Sequence, residues 1–212
     1  MHVETLAVGP LGCNCSILAD VEAGRAIVVD PGGDLEKIRG RLDALGVKVE
    51  AILHTHTHFD HVGCTADLQR ASGAPASIHQ GDRFLYDILP LQAGMFGFEA
   101  PAAADMDDGL GDGRTLHAGS LEVAVLHTPG HTPGSCSFVA SQGGETVVVA
   151  GDTLFRGNIG RTDLWGGDHV AILKSIRSKL LSLPDDARVV TGHGASTTIG
   201  HERAHNRFLR GA

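Results

Sequence analysis

Four side chains able to bind a metal fall within six residues of this chain. In Thr55-His56-Thr57-His58-Phe59-Asp60-His61 two imidazoles alternate, and a carboxylate and a third imidazole follow at once. The run Val49-Glu50-Ala51-Ile52-Leu53 ahead of them is apolar and β-prone, so the cluster is expected at the carboxyl end of a strand, on the turn into a helix. In an extended segment His56 and His58 leave the same face. Asp60 and His61 follow as the chain turns, which predicts a second donor set beside the first. A surface turn that happens to be rich in histidine would account for one His-x-His, but not for a carboxylate set inside it. Imidazole and carboxylate suit zinc, and more loosely iron or manganese.

Three more donors stand downstream, each on a constrained turn. His131 lies in Thr128-Pro129-Gly130-His131-Thr132-Pro133-Gly134, where two Pro-Gly pairs force tight turns. Asp152 follows the apolar run Thr146-Val147-Val148-Val149-Ala150-Gly151, and His193 follows Arg188-Val189-Val190-Thr191-Gly192. Any one of them alone reads as a structural turn. With the cluster they make seven N/O donors, enough for two divalent ions sharing one carboxylate.

The spacing of apolar residues predicts the elements that must hold these donors. Strand-like runs fall near 3–8, 14–19, 25–30, 49–53, 76–79, 115–118, 121–127, 135–140, 145–150 and 188–191. Helical patterns fit 34–45, 61–71, 80–89, 168–182 and 199–209. Leu35, Ile38, Leu42 and Leu45 recur at helical spacing, as do Val170, Leu173, Ile176 and Leu180. Strands, then alternation, then strands again suit two sheets packed face to face with helices outside, in one α/β domain spanning 1–212. The stretch 91–113 carries few element signals; Met95, Phe96 and Phe98 are its large apolar groups, fit either to plug the core or to shield a site.

The order His-x-His-x-Asp-His, His131, Asp152, His193 resembles the metallo-β-lactamase-fold hydrolase superfamily over essentially the whole chain, and Val28-Val29-Asp30-Pro31-Gly32 resembles its first motif. The resemblance implies a four-layer αβ/βα sandwich of two mixed sheets. It implies that His56, His58 and His131 hold one metal, that Asp60, His61 and His193 hold the other, and that Asp152 bridges both. Hydroxide between ions roughly 3.5–4 Å apart would be the nucleophile, with Asp60 orienting it. Gly151-Asp152-Thr153-Leu154-Phe155 and Gly157-Asn158-Ile159-Gly160-Arg161-Thr162-Asp163 resemble the glyoxalase II (hydroxyacylglutathione hydrolase) branch, and the tail from Gly192 to Arg203 its short members. A small-molecule glutathione thioester is then the expected substrate. Arg161 is the candidate for its carboxylate or carbonyl, since guanidinium offers a planar fork, with pairing to Asp163 as the structural alternative. Larger enzymes of that branch add a C-terminal domain with basic residues for glutathione, so looser carrier binding is expected of a chain ending at Ala212. The related persulfide dioxygenases, with one iron held by His56, His131 and Asp152, are the competing class; they carry Cys-Gly-Arg where this chain has Asn158-Ile159-Gly160-Arg161. A lactonase or β-lactamase is the further alternative.

Composition narrows the partners. Net charge of −8 without a basic run argues against nucleic acid. No segment approaches the ~18 apolar residues of a membrane span. Met1-His2-Val3-Glu4 lacks the features of a signal peptide, so a cytoplasmic location is expected. Cys13, Cys15, Cys64 and Cys136 form no CxxC pair and are expected reduced, with Cys13 and Cys15 alternating on a half-buried strand. His54 precedes the cluster on the same strand face and is assigned a buried, hydrogen-bonded role.

Overall fold

A computed structural model describes residues 1–210; Gly211 and Ala212 lie outside the described residues. The chain runs through β1 (His2–Val8), β2 (Cys13–Asp20), β3 (Arg25–Val29), α1 (Leu35–Leu45), β4 (Lys48–Leu53), α2 (Thr65–Ser72) and β5 (Ala76–Ser77). After a 3₁₀ turn at Gln80–Asp82 come α3 (Arg83–Asp87), α4 (Leu89–Met95) and β6 (Met106–Asp107). The second half holds β7 (Thr115–Ala118), β8 (Leu121–His127), β9 (Cys136–Gln142), β10 (Glu145–Gly151), β11 (Leu154–Phe155), β12 (Asn158–Ile159), α5 (His169–Ser175), β13 (Arg188–Thr191), β14 (Thr197–Thr198) and α6 (Ile199–His205).

Two mixed sheets result. One has the order β1-β2-β3-β4-β5-β6, antiparallel up to β3 and parallel beyond it; the other is β14-β13-β10-β9-β8-β7, with β10 and β13 parallel. Strand periodicity sorts the side chains into three apolar clusters. Leu18, Ile27, Val29 and Leu53 meet Val123, Val125, Phe138, Val147 and Val149 between the sheets. Their neighbours Ile17, Val28 and Ile52 face the other way, onto Ile38, Leu42 and Leu68 of α1 and α2. Val148 and Val189 likewise face Ile172, Ile176 and Ile199. Helix, sheet, sheet, helix is the four-layer sandwich.

Several elements differ from expectation for local reasons. The helix expected from 61 starts at Thr65, because His61 to Cys64 are spent on turns; His61 N–H donates to the His58 carbonyl. The 168–182 helix becomes α5 followed by a π turn at Ile176–Leu180. Ile176 and Leu180 are buried and Leu173 packs against them, as the spacing predicts, whereas Val170 is exposed and Ile172 takes the inward place at the start of the helix. β2 is buried on both faces rather than half-buried. Cys13 and Cys15 do share one face, within the cluster that packs α1, and all four cysteines are free and buried.

Candidate metal centre

All seven donors meet at one end of the sandwich, where the strands of both sheets run out. β4 ends at Leu53 and is followed by the His/Asp cluster, β8 by the His131 loop, β10 by Asp152 and β13 by His193. The donor atoms of His56, His58 and His131 lie within 4.8 Å of one another, and so do those of Asp60, His61 and His193. Asp152 stands between the groups: its Oδ2 is 3.6 Å from His131 Nε2, and its Oδ1 is 3.7 Å from His61 Nε2 and 3.9 Å from His193 Nε2.

Backbone and buried carboxylates fix which nitrogen faces inward. His131 Nδ1 is 2.8 Å from the Arg161 carbonyl, leaving Nε2 for the centre. His61 Nδ1 is 3.0 Å from Asp30 Oδ2, and the same carboxylate accepts from Thr55 N–H at 2.7 Å and Thr55 Oγ1 at 2.6 Å. A carboxylate or carbonyl behind an imidazole is how metal-binding histidines are oriented in general. His54 takes the role expected of it, with Nδ1 3.1 Å from the Ser77 carbonyl and Nε2 2.8 Å from Thr65 Oγ1. Two glycines make room for Asp152: a Cβ on Gly192 would lie 1.9 Å from Asp152 Oδ1, and one on Gly160 would lie 1.8 Å from the Asp152 carbonyl oxygen.

The donor set fits divalent cations by its own chemistry. His56 Nε2 and Asp152 Oδ1 are buried without a hydrogen-bond partner, a costly state for polar atoms unless something else satisfies them. Burial holds the pKa of His56, His58 and His131 below the usual range, so these imidazoles are neutral, the form that ligates. In the second group burial opposes charge on His61, yet Cys13, Asp60 and Asp30 raise its pKa well above normal. With the Cys13 thiol itself pushed up to about 12 by burial, the two carboxylates supply the negative charge. Cationic charge is thus favoured in that group.

A cavity of ≈ 150 Å³ opens on the donors; Leu11, Phe59, Gln92, Phe96, Arg161 and Leu164 complete its wall. Arg161 reaches it while forming a bidentate pair with Asp163, at 2.7 Å and 2.9 Å, the structural pairing expected as the alternative. Tyr86 is packing: its hydroxyl donates to the Ala104 carbonyl, and the aromatic groups at the cavity are Phe59 and Phe96 instead. The 91–113 stretch divides its work, with Phe98 packed against the core and Phe96, 44 % exposed, at the cavity. Sequence reasoning gave no site role to Asp30 or Gln92. Asp30 has a visible signal, the Pro-Gly that follows it, whereas Gln92 has none.

Residues 8–193 match the sequence profile of the metallo-beta-lactamase superfamily. This chain belongs to that superfamily. It is 39% identical to the hydroxyacylglutathione hydrolase GloC of Haemophilus influenzae, covering 99% of this chain and 98% of that one. Among solved structures it is similar to the BLEG-1 B3 metallo-beta-lactamase (TM-score 0.89, 36% identity, 99% of this chain and 100% of that one). It is also similar to TTHA1623 in a di-iron-bound form (TM-score 0.84, 37% identity, 98% and 100%). Among the described residues no helix is long and apolar enough to cross a membrane.

Proposed function

We propose that this superfamily member hydrolyses glutathione thioesters at a dinuclear centre. In this reading His56, His58 and His131 hold one divalent ion, Asp60, His61 and His193 the other, and Asp152 bridges. The observation that carries it is Asp152, whose two oxygens face different donor groups beside a cavity that Arg161 edges. Two bound divalent ions would polarise an acyl carbonyl and lower the pKa of water towards ~7.

The chain's own residues do the rest. Asp60, with its pKa lowered because His61 and His193 outweigh its burial, stays ionised and can accept a hydrogen bond from the attacking water. Arg161 offers its fork to a carboxylate of the carrier, exchanging it with Asp163 at the solvent edge. Leu11, Phe59, Phe96 and Leu164 give the thioester an apolar wall that limits water access. A thiolate is a good leaving group, so no acid need protonate it. The 39% identity to a hydroxyacylglutathione hydrolase supports this substrate class. The di-iron-bound neighbour supports two ions and puts iron beside zinc as a candidate.

β-Lactam hydrolysis is the second reading, favoured by the likeness to a B3 metallo-beta-lactamase. Protein reconstituted with zinc or iron should be assayed on S-lactoylglutathione, a chromogenic β-lactam and, for oxygen uptake, glutathione persulfide. The proposal expects the thioester to be turned over with the highest kcat/KM. A higher value on the lactam, or oxygen uptake without thioester turnover, would replace it.

A further inference from the structure

His131 Nε2 and His58 Nδ1 stand 3.0 Å apart, yet their loops leave different sheets. Something must hold the two loops in one register. Asp82, at the end of the 3₁₀ turn, touches both. Its Oδ2 accepts from the Thr57 N–H at 3.1 Å and from Thr132 Oγ1 at 2.8 Å, and its Oδ1 accepts from the Gly134 N–H at 2.5 Å. Its own carbonyl accepts from Thr57 Oγ1 at 3.0 Å. Thr57 is the residue between His56 and His58, and Thr132 adjoins His131.

Asp82 is fully buried and takes no part in the wall of the cavity. Among the described residues no Lys, Arg or His pairs with it, and burial pushes its pKa up to about 6 against the pull of its three donors. A carboxylate in such a place is costly unless its hydrogen bonds repay desolvation. The fit is close: a Cβ on Gly134 would lie 2.6 Å from the Asp82 Cγ, so Gly134 is what lets the main chain come near enough to donate.

We propose that Asp82 is a positioning residue of the metal centre, tying the Thr57 loop to the Thr132–Gly134 loop so that His56, His58 and His131 converge on one cation. The proposal rests on the ligand assignment made above and is independent of the thioester substrate. Gln92 reinforces the same point, since its Nε2 donates to the Thr57 carbonyl at 3.2 Å and the Leu85 carbonyl at 2.7 Å. Thr57 is thereby held through N–H, hydroxyl and carbonyl at once.

The test uses Asp82→Asn, which keeps size and one carbonyl oxygen but presents an NH₂ to one of the two main-chain donors. Thr132→Val is the milder partner, removing one hydrogen bond to Asp82. Three quantities are read: thermal unfolding of metal-free protein, zinc affinity by chelator competition, and the visible spectrum of the cobalt(II)-substituted protein. We expect one of two zinc equivalents to bind about 10–100-fold more weakly in Asp82→Asn, with an altered cobalt spectrum, and Thr132→Val to shift both in the same direction by less. Wild-type affinity for both equivalents with an unchanged spectrum, even at a lower Tm, would make Asp82 merely structural and overturn the proposal. Should Asp82→Asn fail to fold, the same two readouts on Thr132→Val decide. Wild-type protein that binds fewer than two equivalents would overturn the ligand assignment itself, and this inference with it.

Discussion

Arg161 serves the centre through two different groups. Its carbonyl orients His131 from behind, and its guanidinium, paired with Asp163, edges the cavity. Arg161→Ala leaves the carbonyl in place, so metal content should be unchanged while KM for a glutathione thioester rises roughly ten-fold, a charged hydrogen bond discounted for exposure. Lys should restore part of the loss, because an ammonium cannot reproduce a forked contact. An unchanged KM would leave Arg161 to its pairing with Asp163. Gly192 tests the bridge from the other side. A methyl group there would meet Asp152 Oδ1 at 1.9 Å, so Gly192→Ala should displace the carboxylate and cost metal at saturation, measured by elemental analysis. Full occupancy would show that Asp152 can move aside without harm. At this scale the seven donors were legible because they are dense or follow strand runs. Asp82 was not, since Thr57, Thr132 and Gly134 lie 25, 50 and 52 residues away.

The strands that end at the centre are held by the apolar layer between the sheets, where Phe138 is the largest fully buried side chain. Phe138→Ala should cost about 3–5 kcal/mol, read as lower Tm, with metal affinity lost only as the fold is lost. A small change in Tm would mean that the layer collapses onto the gap. Strands were well marked in the sequence, since those buried on both faces read as short β-branched runs such as Ile27-Val28-Val29 and Val147-Val148-Val149. Helices were marked less well. α4 begins with Leu89-Pro90, and a proline at the first turn is helix-compatible. Gly94 and Gly97 nevertheless made the segment read as irregular. Along α5 and the π turn after it, Leu173, Ile176 and Leu180 pack inward as their spacing suggested, while Ile172 and not Val170 begins the buried face.

Charge across the molecule bears on both metal and substrate. The chain carries −8, and among the described residues Arg161 is the one cationic side chain in the cavity wall besides histidine. Long-range attraction will not draw in a carrier bearing two carboxylates, so KM for S-lactoylglutathione should be high and weakly dependent on salt. A low-micromolar KM would contradict this. Without metal, the surrounding carboxylates favour the protonated forms of His61 and His193: Asp60 raises the pKa of His193 through a hydrogen bond, and negative charge outweighs burial at His61. Both pKa values are raised, so a cation must displace protons to bind there. Calorimetry in buffers of different ionisation enthalpy should therefore record proton release at pH 7, and none would mean that these imidazoles are already neutral. The most direct test of the account is the rate of S-lactoylglutathione hydrolysis as metal is added to chelated protein. It should climb to a plateau at two equivalents per chain and stay near baseline throughout in Asp152→Ala. A plateau at one equivalent would contradict the shared bridge, and no hydrolysis at two would contradict the thioesterase.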